Sequence, residues 1–298
     1  MIKMDRTYTY KTLRHAKSQS AMEYLMTYGW AILIIAVVLG VLFQLGVFSG
    51  SALTPKAAPG ACQVVRLGGQ VSLEGECQGQ LPEYTGQFSN GFLKTSDAGY
   101  PSGTSAEISM FAWINPASSC AGTNFEAFQG YGSTSQFGNA IYIALSNCEL
   151  GAQLFGLQNI GPASFDVQPG AWSFVGYTLS GATMTFYLNN KISSPSTFST
   201  TPNIQTGGGY NYLSYFPLQN YFDGGMSNIQ IYNTTLSSNE VEALYQEGIG
   251  GAPIRPQNLV GWWPINGNAQ DYSGNNNNGQ ISGGVSFNGT WQAGYTPP

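Results

Sequence analysis

Charge is scarce in this chain: Asp, Glu, Lys and Arg together make up 8% of its 298 residues. Histidine is scarcer still, with a single copy at His15, so everything beyond that point lacks Ser-His or Cys-His catalysis and histidine-based metal chemistry. The four cysteines, Cys62, Cys77, Cys120 and Cys148, fit no two-pair CxxC zinc spacing. Amphipathic helical periodicity is rare as well. Glycine is abundant, with 39 copies, and Asn, Ser and Thr accompany it, a composition of strands, turns and loops.

The few charges are unevenly placed. Five of the ten Lys and Arg (Lys3, Arg6, Lys11, Arg14, Lys17) precede residue 18, whereas fourteen of the fifteen acids follow it. By the positive-inside rule the basic leader stays in the cytoplasm and the acidic remainder is exported, which argues against nucleic acid as a partner. Tyr24 to Phe48 is uncharged over roughly 25 residues, enough at 1.5 Å per residue to span a ~30 Å hydrocarbon layer as a transmembrane helix. The chain therefore divides into a leader (1–18), a hydrophobic helix (19–48), a Pro/Gly linker (49–61) and an exported domain (62–298). In an exported domain the four cysteines read as two disulfides. Of the three possible connectivities, Cys62–Cys77 and Cys120–Cys148 each close a modest loop, and each bridge stabilises by about 2–4 kcal/mol.

The junction Lys17-Ser18-Gln19-Ser20-Ala21-Met22-Glu23-Tyr24 resembles the class III signal peptide of archaeal type IV pilin-like proteins. The resemblance implies cleavage by a prepilin peptidase between Ser18 and Gln19, which leaves Gln19 as the new N-terminus and Glu23 as the fifth residue. A carboxylate at the head of an apolar helix costs several kcal/mol to bury unless it is paired. The freed amine of Gln19, in the same or a neighbouring subunit, is the natural partner, and that pairing would set register among pilin subunits. The alternative is that Glu23 only caps the positive end of the helix dipole. Gly29, Gly40 and Gly46 offer flat patches for helix approach but do not form a GxxxG.

Beyond the linker, short strands are expected at 64–73, 87–94, 108–115, 140–145, 151–155, 172–179, 184–189, 227–232 and 259–264, an all-β sandwich or barrel. Asn189-Asn190 suits a hairpin turn. Ser237-Ser-Asn-Glu240 is a capping box opening one short helix, so Glu240 and Glu242 read as structural and not as an acid/base pair. The run from Tyr221 to Tyr245, with strands containing Trp113, Trp172 to Tyr177 and Tyr187-Leu-Asn-Asn, is similar to laminin-G-like, concanavalin A-like domains over most of 87–245. That resemblance implies a jelly-roll sandwich with one capping helix. The segment from Asn258 to Gly279 resembles the opening piece of such domains yet follows the closing helix. It completes the sandwich in cis as a circularly permuted first strand, or it adds to a neighbour.

Glucan-hydrolysing relatives of such domains carry an ExDxxE carboxylate pattern. None is present. The chain is accordingly expected not to be an enzyme but a surface structural and adhesion protein, with a non-polymerising membrane-anchored lectin or a divergent glycoside hydrolase as alternatives. Tyr210, Tyr212, Tyr215 and Tyr221 could stack on sugar rings while Asn211 and Asn220 hydrogen-bond hydroxyls of a surface glycan, with Tyr210 and Tyr212 as the first contacts; a cell-surface protein is the other class of partner. Ca²⁺, which laminin-G-like domains often hold at an edge, would find oxygen ligands at Asp223, Asp271 and Asn275, against the alternative of metal-free Asn/Gly turns. Asn233-Thr-Thr and Asn288-Gly-Thr are glycosylation sequons.

Overall fold

The computed structural model of the protein describes residues 16–44, 56–57, 81–117, 125–132, 140–146, 148–154, 158–160, 165–206, 211–216 and 220–298. They belong to two compact units, one ending at Leu53 and one beginning at Thr54.

The first unit contains α1 (Ala16–Gln44), 29 residues without a proline. Its described side chains are Met26 and residues 28–41, and all of them are exposed, Trp30 at 67% and Ile32 at 64%. A helix apolar on every side has no face of its own to turn toward water. Among the described residues no helix is long and apolar enough to cross a membrane. The described side chains of α1 form a shorter stretch than the ~20 residues a span requires. The side chains of Ser18, Gln19 and Glu23 lie outside the described residues, as do residues 1–15, 45–48 and the linker apart from 56–57.

The second unit begins with β1 (Lys56–Ala57) and β2 (Leu81–Pro82), which pair in parallel. There follow β3 (Thr85–Thr95), β4 (Glu107–Pro116), β5 (Phe125–Gly132), β6 (Ala140–Ser146), β7 (Glu149–Leu154), β8 (Gln158–Ile160), β9 (Ser173–Ser180) and β10 (Thr183–Leu188). After them come β11 (Lys191–Ile192), β12 (Ser196–Thr197), β13 (Asn211–Leu213), β14 (Tyr215–Phe216), β15 (Asn220–Tyr221) and β16 (Gly224–Tyr232). Helix α2 (Ser238–Glu247), β17 (Leu259–Trp263) and β18 (Gln280–Asn288) complete the chain. Fourteen strands hydrogen-bond into one antiparallel sheet, in the order β11-β10-β9-β4-β16-β3-β13-β5-β6-β7-β8, with β12, β17 and β18 attached to β10, β16 and β3.

Strand β3 is where this sheet turns into two layers. Gly86, Gln87 and Phe88 pair with β16, whereas Leu93 to Thr95 pair with β13, and β18 follows β3 along its length. Between the two halves Asn90 adopts a left-handed φ of 51°, opposite the register shift at Gly283/Gly284. Such a bulge bends a strand and resets its alternation. Phe88 and Leu93, five residues apart, consequently both enter the main core.

That core lies between the layers. One layer contributes Ile108, Met110, Ala112 and Ile114 of β4, Val175, Tyr177 and Leu179 of β9, and Met184, Phe186 and Leu188 of β10; the other contributes Leu145, Leu150, Leu154 and Leu213. Period-two alternation sends the intervening side chains, Phe111, Trp113, Phe174 and Tyr187, to the opposite face. There they pack under α2 and the C-terminal residues Trp291 and Tyr295, so this layer is buried on both sides. Burial raises the Tyr177 hydroxyl far above its usual pKa.

Local signals act as their chemistry dictates. Asn189, at φ 53°, forms the two-residue turn that registers Leu188 with Lys191. Ser237 and Glu240 close the capping box of α2, and the Glu240 carboxylate also pairs with Arg255. Burial would raise its pKa, but the hydroxyl and N–H of Ser237 together with Arg255 hold it below the ordinary carboxylate value. The C-terminal segment pairs within its own chain: β17 lies along β16 and β18 along β3. The strands β5, β13 and β18 lie outside the segments expected from periodicity, and the expected strand at 64–73 lies outside the described residues.

Candidate functional site

Four rings gather on the face of β3 and β13 that turns away from the main core. Leu93 and Leu213 point inward, so their neighbours Phe92 and Tyr212 point outward. Tyr212 stands opposite Lys94 on one side and Gly130 on the other. Ser214, at φ 75°, then turns the chain sharply, its buried hydroxyl donating to the Phe222 carbonyl at 3.1 Å. This turn lets Tyr215 pack beside Tyr212, and the short pair β14/β15 places Tyr221 directly across from Tyr215.

Tyr215 is the centre of the cluster. Phe92 stacks on it at 4.8 Å and 21°, and Tyr221 lies 4.8 Å away at 32°. Tyr212 meets Phe92 edge-on at 5.7 Å and Tyr215 edge-on at 5.4 Å. Such pairs contribute about 0.5–1.5 kcal/mol each beyond area burial. All four rings are half-buried. Phe92 and Tyr221 thus flank Tyr215, whereas Tyr212 meets Phe92 and Tyr215 edge-on.

Of the other expected contacts, Tyr210 and the side chain of Asn220 lie outside the described residues. Asn211 requires correction as a ligand contact. It is completely buried, and its Nδ2 donates to Thr95 Oγ1 at 3.1 Å, a bond joining β13 to β3. Period two explains the difference, since a residue adjacent to an outward tyrosine must point inward. Phe92 was missed in the sequence. The only signal was its place next to inward Leu93, and its pairing with Tyr215 arises from sheet register.

The residues considered as calcium ligands sit in a tightly bonded loop. Asp271 Oδ1 accepts from the N–H groups of Trp262 (3.0 Å) and Ser273 (2.9 Å), and Oδ2 accepts from that of Asn277 (2.8 Å). Asn275 Nδ2 donates to the carbonyls of Leu259 and Val260 and to Ser273 Oγ. Buried Asn277 donates to the carbonyls of Ala98 and Val260, and Trp263 Nε1 donates to its carbonyl. A cation at Asp271 would compete with three N–H donors. Asp223 is exposed, and its carbonyl accepts from the Ala117 N–H. Among the described residues no three Asp, Glu, His or Cys side chains come together as a metal site.

Cys148 is buried and disulfide-bonded, and no described cysteine is free. Cys62, Cys77 and Cys120 lie outside the described residues. Asn233 is exposed, with its Oδ1 accepting from Asn258 Nδ2, while Asn288 Oδ1 accepts from the N–H and hydroxyl of Thr290. Glu242 accepts a hydrogen bond from Gln246 Nε2 one turn along α2.

From within β3 into α2, residues 89–242 match a family model, that of the concanavalin A-like lectin/glucanases superfamily. The chain belongs to this superfamily. Its fold is an all-β sandwich of concanavalin A-like type with few helices. A Bacteroides ovatus protein assigned as carbohydrate binding shares 15% identity with this superfamily member at a TM-score of 0.52. The alignment covers 70% of this chain and spans only 60% of the Bacteroides protein. A heptameric SAP-like pentraxin from Limulus polyphemus is 16% identical, with 68% of this chain and 94% of the pentraxin covered and a TM-score of 0.47. No curated protein matches the chain.

Proposed function

We propose that this chain is a non-enzymatic, cell-surface carbohydrate-binding protein whose concanavalin A-like domain engages glycans at the Phe92/Tyr212/Tyr215/Tyr221 platform. The observation that carries the reading is a half-exposed aromatic cluster on an outward sheet face of a lectin-type sandwich. The apolar faces of pyranose rings stack on such rings, and Lys94, beside Tyr212, supplies a hydrogen-bond donor at the margin. The Bacteroides protein of the same fold is assigned as carbohydrate binding, which supports the same class of partner.

Display at the surface is the second part of the proposal. The all-round apolar exposure of α1 supports burial of this helix in lipid or in a bundle of neighbouring copies. With cleavage between Ser18 and Gln19 by a prepilin peptidase, and Glu23 pairing with a subunit's Gln19 amine, the helix would enter a pilus-like filament. A lectin that stays anchored in the membrane keeps the same domain without the filament.

The test is a glycan panel probed with the full chain and with Tyr212→Ala. The reading requires bound glycans lost in the variant. Turnover of any glycan by the protein would instead make it a hydrolase. N-terminal sequencing of the exported protein should begin at Gln19, and an intact Met1 removes the processing step.

A further inference from the structure

A second outward surface lies across the main core from the aromatic platform. On the face of β4, β16 and β3 that also carries Trp113, Asn115 registers with Gly225, and Gly225 registers with Gln87. The two carboxamides thus flank a residue with no side chain. A Cβ at Gly225 would come within 2.8 Å of the Trp172 indole, so glycine here admits that ring onto the sheet beside the two amides. Trp172 is fixed in turn, its Nε1 donating to the Trp291 carbonyl at 2.9 Å and its ring meeting Trp291 edge-on.

Beside Gly225 lies a cleft of about 410 Å³ lined by Gln87, Asn115, Pro116, Ala117, Pro169, Gly170 and Gly224. Its size falls in the range of small-molecule sites. Two features define its chemistry. No described lining residue is charged. Neither the Gln87 nor the Asn115 carboxamide hydrogen-bonds any group among the described residues, although both are only half-exposed, whereas the Asn228 and Gln230 carboxamides of β16 are paired. Each amide presents two N–H donors and a carbonyl acceptor, the complement of a hydroxyl that both donates and accepts.

We infer that this cleft is a second binding site, for a neutral, hydroxyl-rich ligand such as an uncharged hexose unit, with Gln87 and Asn115 as its polar contacts. Together with the aromatic platform it would make the domain bivalent, with sites on opposite outward faces. The bivalency rests on the glycan reading of the platform; the cleft itself does not.

The test uses the full chain on an array of neutral and acidic oligosaccharides, comparing Tyr212→Ala with Asn115→Asp/Gln87→Glu. The acidic replacements preserve shape while removing the N–H donors, and Asn115→Ser/Gln87→Ser serves if their melting temperature falls. The expected result is a set of neutral glycans that Tyr212→Ala still binds and that the amide variants bind at least tenfold more weakly. Three results would overturn the inference. They are neutral-glycan binding unaltered by both amide variants, no neutral glycan retained by Tyr212→Ala, and retention of acidic glycans alone in the amide-dependent set. If the platform reading fails, Tyr212→Ala leaves all binding unchanged, and the amide variants still decide the cleft.

Discussion

Each layer of the sandwich carries an aromatic cluster on its outward face, and ring geometry does not tell the two apart. On one side Phe92, Tyr212, Tyr215 and Tyr221 lie with centroids 4.8–6.4 Å apart. On the other, Trp113, Phe174, Tyr245 and Tyr295 lie 5.4–6.0 Å apart. The difference is cover. Helix α2 and the C-terminal residues close over the second cluster, leaving Trp113 at 1% and Phe174 at 3% exposure beneath half-buried Tyr245 and Tyr295, while all four rings of the first stay half-exposed. Under α2 one polar chain is paired: the Tyr232 hydroxyl donates to Gln230, whose Nε2 donates to Asn228, and Asn228 accepts from Trp262 Nε1, while the buried Trp113 Nε1 has no hydrogen-bond partner among the described residues. Aromatic packing alone therefore does not mark a binding surface. Packing left open to water does.

The largest expected effect lies on the covered side. Trp113→Ala should destabilise the domain by about 3–5 kcal/mol in equilibrium denaturation, since a buried ring is replaced by a cavity. A loss below 1 kcal/mol would mean that the cover is loose and that the two clusters are alike. Next is the loop that fixes β17. Asp271→Ala removes the acceptor for three backbone N–H groups and should cost about 2–4 kcal/mol. EDTA should leave the melting temperature of the unaltered protein unchanged, and a clear drop would show that a cation shares that carboxylate.

On the open side the same substitution should separate stability from binding. Tyr212→Ala is expected to change stability by less than about 1 kcal/mol. It should weaken glycan binding about tenfold, the equivalent of ~1.4 kcal/mol, in a titration with the best array glycan. Stability loss equal to that of Trp113→Ala would make the platform a piece of core. The smallest effect concerns α2, the cover itself. The Glu240 pKa is lowered in the folded protein, so its contribution is present above the unfolded carboxylate value and is lost as pH falls through the folded one. Glu240→Gln keeps the capping box, so it should lower stability at neutral pH by only about 0.3–1 kcal/mol and flatten the acid limb of a stability-versus-pH curve below about pH 4.5. An unchanged acid limb would remove Glu240 from the linkage.

Much of this architecture was legible in the order of residues. The strands around Trp113, Trp172 and Met184 follow from alternation, the Asn189-Asn190 turn from its tolerance of positive φ, and α2 from its capping box, because each depends on neighbours within a few residues. The uncharged run of α1 and the lone His15 likewise bound the chemistry before any fold is considered. Sites were harder to read. Tyr212 and Tyr215 were visible as aromatics, but Phe92 reaches Tyr215 from 123 positions earlier in the chain only because β13 pairs with β3. Asn211 looked like a ligand contact until sheet parity turned it inward against Thr95. Asp271 was visible as a carboxylate, but the three N–H groups its oxygens accept from are set by the folded loop. Gln87 and Asn115 gave no signal in the sequence at all, because their significance lies in a glycine on the strand between them and a tryptophan lying over it. The sequence by itself determined the strands around Trp113, Trp172 and Met184, the Asn189 turn and helix α2, since those choices are local. Only the tertiary structure decided which aromatic cluster is covered and which amides stay unpaired, since both depend on what long-range register brings to each face.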